Sequence, residues 1–121
     1  MSDVLREVVD RWKTAFDGHR GDDMADLFTS DALFQGFGPE PVAGREAVRA
    51  YYAAVPDDRT ADVTVLHSYA IGAQVAGGFA HVTFRDPHGW AAPVHLSLVL
   101  RFDEGAWRIR QYHVSRISPE H

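Results

Sequence analysis

The side chain best suited to move a proton in this 121-residue chain is His113. An imidazole titrates near neutrality and can serve as acid or base. His113 lies in the stretch from Trp107 to Ile117, W-R-I-R-Q-Y-H-V-S-R-I. Side chains alternate faces along a strand, so Trp107, Ile109, Gln111, His113 and Ser115 share one face, and Arg108, Arg110, Tyr112, Val114 and Arg116 share the other. The first face turns from apolar to polar along its length. That is the pattern of a sheet surface that packs as core at one end and lines a pocket at the other. The second face is largely basic and suits solvent or a partner. Alternation therefore predicts that Gln111, His113 and Ser115 look into an internal ligand site.

Gln35 is the second candidate. It stands between Phe34 and Gly36 on a short predicted strand. Its amide both donates and accepts, which suits orienting a carbonyl or hydroxyl. Gly36 permits a bulge, so an outward-facing edge position is the competing reading. Tyr52 offers a phenolic hydroxyl from a predicted helix, and His113, Gln35 and Tyr52 form the expected catalytic set. Trp12, Phe16, Phe28, Phe34, Tyr51 and Leu98 are expected to wall the pocket with Gln111 and Ser115. Aromatic rings at such spacing ordinarily build core, and a hollow domain uses the same rings as its wall.

Other residue types carry less. His81 and His95 fall opposite the Val82/Phe84 and Leu96/Leu98/Leu100 faces and are expected to point outward, while His67 is left open. No histidine pair has metal-motif spacing, and the chain has no cysteine. No serine sits in a nucleophile elbow. Gly36-Phe37-Gly38 is not followed by a helix at the step a dinucleotide fingerprint needs. The reading is of a site without metal or cofactor.

These residues must be positioned by elements of two kinds. Val4, Leu5, Val8, Val9, Trp12, Ala15 and Phe16 recur at helical steps, with Ser2 or Asp3 as cap and Gly18 and Gly21 as breakers. A short second helix carries Met24, Leu27 and Phe28 and ends at Ser30-Asp31. Ala32 to Phe37 reads as a strand, a Pro/Gly loop follows, and Arg45 to Ala54 reads as a third helix. The period then changes to two. Strands are predicted over 62–71, 79–86, 93–102 and 107–117, with Gly77-Gly78 and the 86–89 stretch as turns. Helices followed by a run of strands imply an α+β domain over 1–121, its helices gathered on one face of a curved, mostly antiparallel sheet.

Composition narrows the function classes. Seventeen acidic against twelve basic residues give a net charge of -5, which disfavours nucleic acid as partner. No stretch approaches the roughly 20 apolar residues of a membrane span, and the N-terminus has no signal-peptide core. With no cysteine, a cytoplasmic location is the expectation.

Several motifs together, L-F-T-S-D-A-L-F, G-R-E-A-V-R-A-Y-Y and G-A-W-R-I-R-Q-Y-H-V-S, make the chain resemble the nuclear transport factor 2-like superfamily, also called SnoaL-like or ketosteroid-isomerase-like. Phe34-Gln35-Gly36, Gly44-Arg45, Tyr51-Tyr52 and Tyr112-His113-Val114-Ser115 look most like its SgcJ/EcaC branch. The resemblance implies a cone-shaped fold of three N-terminal helices in a curved sheet, and a homodimer through the outer sheet face. It also implies a setting in bacterial secondary metabolism, including polyketides. It transfers no steroid-isomerase chemistry. The positions that match that enzyme's base, oxyanion acid and oxyanion tyrosine hold Gly36, Leu98 and Trp12, and only Tyr52 matches a tyrosine of its pocket. The Asp-Arg-Asp set of limonene-epoxide-hydrolase-like members has no counterpart either.

Two readings follow. One is a cofactor-independent isomerase or cyclase that moves protons on an apolar metabolite, which a neutral-pH histidine favours. The other is a non-catalytic ligand-binding or accessory protein using the same cavity or the exposed sheet face, which the lack of an inward carboxylate favours.

Overall fold

The computed structural model describes residues 3–117. The apolar stripe of the first segment becomes α1 (Val4–Asp17), which buries Leu5, Val8, Val9, Trp12, Ala15 and Phe16. Asp3 caps it, Oδ1 accepting the Arg6 N–H at 3.2 Å; Ser2, the other expected cap, lies outside the described residues. The second helix is shorter than expected. α2 (Gly21–Asp26) gives way to β1 (Phe28–Gln35), so Phe28 through Asp31 are strand rather than helix. Part of the predicted loop pairs with β1 as β2 (Val42–Ala43), and α3 (Arg45–Ala53) follows.

The second half is four long strands: β3 (Thr60–Ile71), β4 (Val75–Arg85), β5 (Ala91–Asp103) and β6 (Ala106–Arg116). The six strands form one sheet in the order β2-β1-β6-β5-β4-β3, antiparallel except that β1 runs parallel to β6. This is the α+β arrangement expected, a curved mixed sheet with its helices on one side. Gly77-Gly78 is not the turn. It lies inside β4, and the chain reverses at 72–74 instead. Gly78 suits the interior of this strand because a Cβ there would fall 1.9 Å from the His67 carbonyl oxygen, beside the bulge that sets Leu66 out of register.

Helices and sheet are tied by polar contacts as well as by core. Asp17 of α1 accepts the Ala61 N–H of β3 at 2.9 Å and the Lys13 ammonium at 2.7 Å. Arg45 of α3 donates from Nε and Nη2 to the Phe28 carbonyl at 3.0 and 2.8 Å. The core between the layers holds Trp12, Phe28, Phe34, Leu96, Leu98, Leu100 and Ile109.

One feature of β6 reverses a sequence expectation. Ile109 pairs with Leu100 and Gln111 pairs with Val99, leaving Arg110 as an extra residue on β6. A single inserted residue moves every later side chain to the opposite face. Up to Ile109 the alternation holds. Beyond Arg110 it is inverted: Tyr112 and Val114 are buried, whereas Gln111, His113 and Ser115 are exposed on the outer face.

Candidate functional site

The inner face of the sheet and α3 enclose a cavity of about 310 Å³. Phe16 of α1, Tyr51 and Tyr52 of α3, Phe84 of β4, and Tyr112 and Val114 of β6 form its depth. Phe37, Val55, Pro56, Arg59 and Trp90 form its rim. Two arginines sit over rim aromatics. Arg59 stacks over Trp90, 4.6 Å from the ring centroid, and Arg116 stacks over Phe37 at 4.5 Å. Arg59 is also paired with Asp58 at 2.6 Å and lies 3.8 Å from Asp86. The Asp86 carboxylate accepts the Trp90 N–H at 3.0 Å and so closes the 86–90 turn that carries the indole.

A hydroxyl network lies at the cavity floor. Tyr52 Oη accepts the Trp12 Nε1–H at 3.0 Å, and the Tyr112 hydroxyl lies close by. Burial pushes the Tyr52 hydroxyl well above its usual range, against the opposing pull of the neighbouring Tyr112 hydroxyl and the Trp12 N–H. Burial likewise raises Tyr112, and the neighbouring Tyr52 adds to the effect. Next to them, Tyr51 accepts the Phe37 N–H at 3.0 Å. That approach requires Gly36, since a Cβ there would sit 2.3 Å from the Tyr51 oxygen.

The expected site residues divide into three groups. Phe16, Tyr51 and Tyr52 line the cavity. Trp12, Phe28, Phe34 and Leu98 are buried behind it as supporting core. Phe34 stacks on Tyr112 with ring centroids 4.4 Å apart and packs edge-on against Tyr51 at 4.7 Å. Gln35, Gln111, His113 and Ser115 do not reach it. Gln35 follows the inward Phe34, and its amide donates to the Gly38 and Pro39 carbonyls at 3.4 and 3.3 Å, holding the loop after β1. His113 and Ser115 lie with His67, Phe79, His95 and Ser97 on an open groove of the outer sheet face. The expectation that the imidazole of His113 enters the hollow is thus corrected, and the cause is the extra residue at Arg110.

His81 and His95 do lie outward as expected, 6.1 Å apart across β4 and β5. Among the described residues no three His, Asp or Glu side chains converge to hold a metal ion, and no helix is long and apolar enough to cross a membrane. Tyr112, Val114, Phe84, Trp90 and Arg59 are among the lining residues that sequence reasoning missed, with Phe37, Ala54, Val55 and Pro56 beside them. Phe84 was legible as the inner face of its strand. Arg59 and Trp90 come from non-periodic stretches, where no spacing signals a pocket.

Comparison with known proteins agrees with this architecture. A ketosteroid isomerase-like protein from Erwinia carotovora atroseptica superposes with a TM-score of 0.81 at 19% identity, over 96% of this chain and 95% of that one. An NTF2-like protein with a cystatin-like fold from Novosphingobium aromaticivorans gives 0.83 at 16% identity, over 97% and 82%. A domain with a cystatin-like fold from Nostoc punctiforme gives 0.82 at 16%, over 94% and 75%. At these identities the likeness is one of fold. Comparison with curated proteins returns no match. The SnoaL-like domain profile matches residues 5–119, and with nearly the whole chain covered, this protein belongs to the SnoaL-like domain family.

Proposed function

We propose that the protein binds a small, largely apolar and aromatic molecule in the inner cavity, and that the molecule presents a hydrogen-bond-accepting oxygen to Tyr52. The observation that carries this reading is the bonding of the Tyr52 oxygen. That oxygen accepts the Trp12 N–H, and a phenol keeps one proton besides its lone pairs. Its own proton is what remains to be given. A ligand carbonyl or ether fits that donor, and the surrounding rings fit an apolar body. Among ionisable groups the cavity lining offers Arg59 and three tyrosines. This set favours binding over proton transfer and gives His113 no part in it. Isomerase or cyclase chemistry on a polyketide-like metabolite would use the same donor to stabilise an enolate, and would need a proton carrier from outside this lining. Within the family we keep the SgcJ/EcaC branch as our assignment, on the motifs around Phe34 and Tyr112.

The test compares 2-acetylnaphthalene with 2-ethylnaphthalene by calorimetry, on the wild-type protein and on Tyr52→Phe. A neutral hydrogen bond is worth about 1 kcal/mol net, or about fivefold in affinity. The wild type should prefer the ketone by about that factor, and Tyr52→Phe should lose the preference while still binding both. Equal binding of the two compounds by the wild type would remove the donor from the account.

We also propose that a second copy of the chain covers the outer sheet face. Leu33, Leu66, Tyr69 and Phe79 are 41, 45, 48 and 50% exposed there, alongside His67, His95 and His113. Thr83, Arg85, Ser97, Val99 and Arg101 alternate with the buried Val82, Phe84, Leu96, Leu98 and Leu100 and so share this face, whereas Tyr112 belongs to the cavity.

A further inference from the structure

A second cavity of about 260 Å³ adjoins the first, and Phe16, Tyr52 and Val55 line both. Its lining also includes the exposed His19 and Arg20 from the α1–α2 connection and the exposed Asp57 from beyond α3. His19 is unusual in its backbone. It has φ 56°, the left-handed region that a side chain enters at a cost and glycine enters freely.

Local hydrogen bonding explains the conformation but not the residue. The His19 N–H reaches the Phe16 carbonyl at 3.1 Å, and the Arg20 N–H reaches the Ala15 carbonyl at 3.0 Å. These two bonds make the helix-ending motif whose left-handed position is ordinarily glycine. The glycine stands one residue early. Gly18 has φ -86°, a right-handed conformation, and space rather than backbone angle favours glycine there, since a Cβ would sit 3.2 Å from the Thr14 carbonyl oxygen. The chain thus puts an imidazole where glycine is cheapest. Strained positions of this kind concentrate at functional sites.

We propose that this polar cavity is a second compartment of the ligand site, and that His19 is its specificity-determining residue. The inference rests on the binding reading above and extends it to a ligand class. The apolar body lies against Tyr52, and a hydroxyl substituent on it reaches into the compartment. A hydroxyl donates and accepts, which suits a lining that holds an imidazole, a guanidinium and a carboxylate. Asp23 is the Arg20 partner at 3.5 Å, so Arg20 is not a free cation and a fully anionic substituent is the poorer fit.

The test uses 2-acetylnaphthalene and its 6-hydroxy derivative on wild type, His19→Gly and His19→Asn, measuring affinity and thermal midpoint together. Wild type should bind the hydroxy ketone about fivefold more tightly. His19→Gly should lose that preference, keep its affinity for 2-acetylnaphthalene, and melt about 2–4 °C higher because the left-handed position is relieved. His19→Asn tolerates the same backbone and should also lose most of the preference. A hydroxyl preference that survives in His19→Gly, or is absent from the wild type, overturns the proposal while leaving the ketone site standing. Failure of both ketones to bind the wild type overturns the proposal together with the binding reading on which it rests.

Discussion

Tyr52 and Tyr112 both line the cavity, yet only one of them was legible in the sequence. Tyr52 sits on a helix whose apolar stripe is broad, so a small error in phase still leaves it facing inward. Tyr112 sits on a strand, where one residue of slip reverses the side chain. Asp31 shows at the same scale how that slip is held. Its carboxylate accepts Arg101 Nη2–H at 2.9 Å, and Arg110, the extra residue of β6, lies 3.5 Å away. Hydrogen bonds from Arg101 are the main cause that brings the Asp31 carboxyl down to about 2. A carboxyl depressed in the folded state stabilises it above the unfolded value of 3.8, and that contribution fades as pH falls toward about 2. Thermal midpoints of wild type and Asp31→Asn should therefore differ most near pH 5 and converge toward pH 2. A difference constant with pH would show that Asp31 does not hold this network.

At the scale of elements, the helix α1, the helix α3 and the strands β3 to β6 could be placed from period, although β3 is largely exposed and β6 changes its buried face at Arg110. The failures have local causes. Phe28 looked like a helix residue because it continues the spacing of Met24 and Leu27, but β6 offers Phe28 a strand partner at Ile109, and tertiary pairing overrides local period. The bulge at Arg110 is marked by neither glycine nor proline, so alternation runs through it unbroken. The inverted phase has a direct consequence for stability. Val114→Ser should destabilise the protein by about 2–3 kcal/mol, as expected for a polar group replacing buried apolar volume. His113→Ala and Ser115→Ala should stay within about 0.5 kcal/mol, as exposed substitutions do. Urea melts of the three variants check this, and the opposite ranking would restore the uninterrupted alternation.

For the whole molecule, the sheet separates two surfaces with different chemistry. The inner one is aromatic and encloses the cavity, and the outer one combines exposed apolar groups with histidines. Large apolar side chains gathered on one exposed face are a mark of an interface. If the outer face joins two copies, Phe79→Lys should shift the protein from dimer to monomer in sedimentation velocity while leaving 2-acetylnaphthalene binding unchanged. A wild type that sediments as a monomer at about 100 µM, where a homodimer with a Kd of about 1 µM would be mostly associated, would remove the second copy from the account.

The division between the two faces also decides where a ligand goes. The most direct measurement is to titrate 2-acetylnaphthalene into the isotopically labelled protein and follow its methyl and indole resonances. The account predicts shifts at Val55, Val114 and the Trp90 indole, which line the inner cavity, with Leu66 unmoved in the outer groove. Shifts confined to Leu66 and the imidazoles of His67, His95 and His113 would contradict it and move the binding site to the opposite side of the sheet.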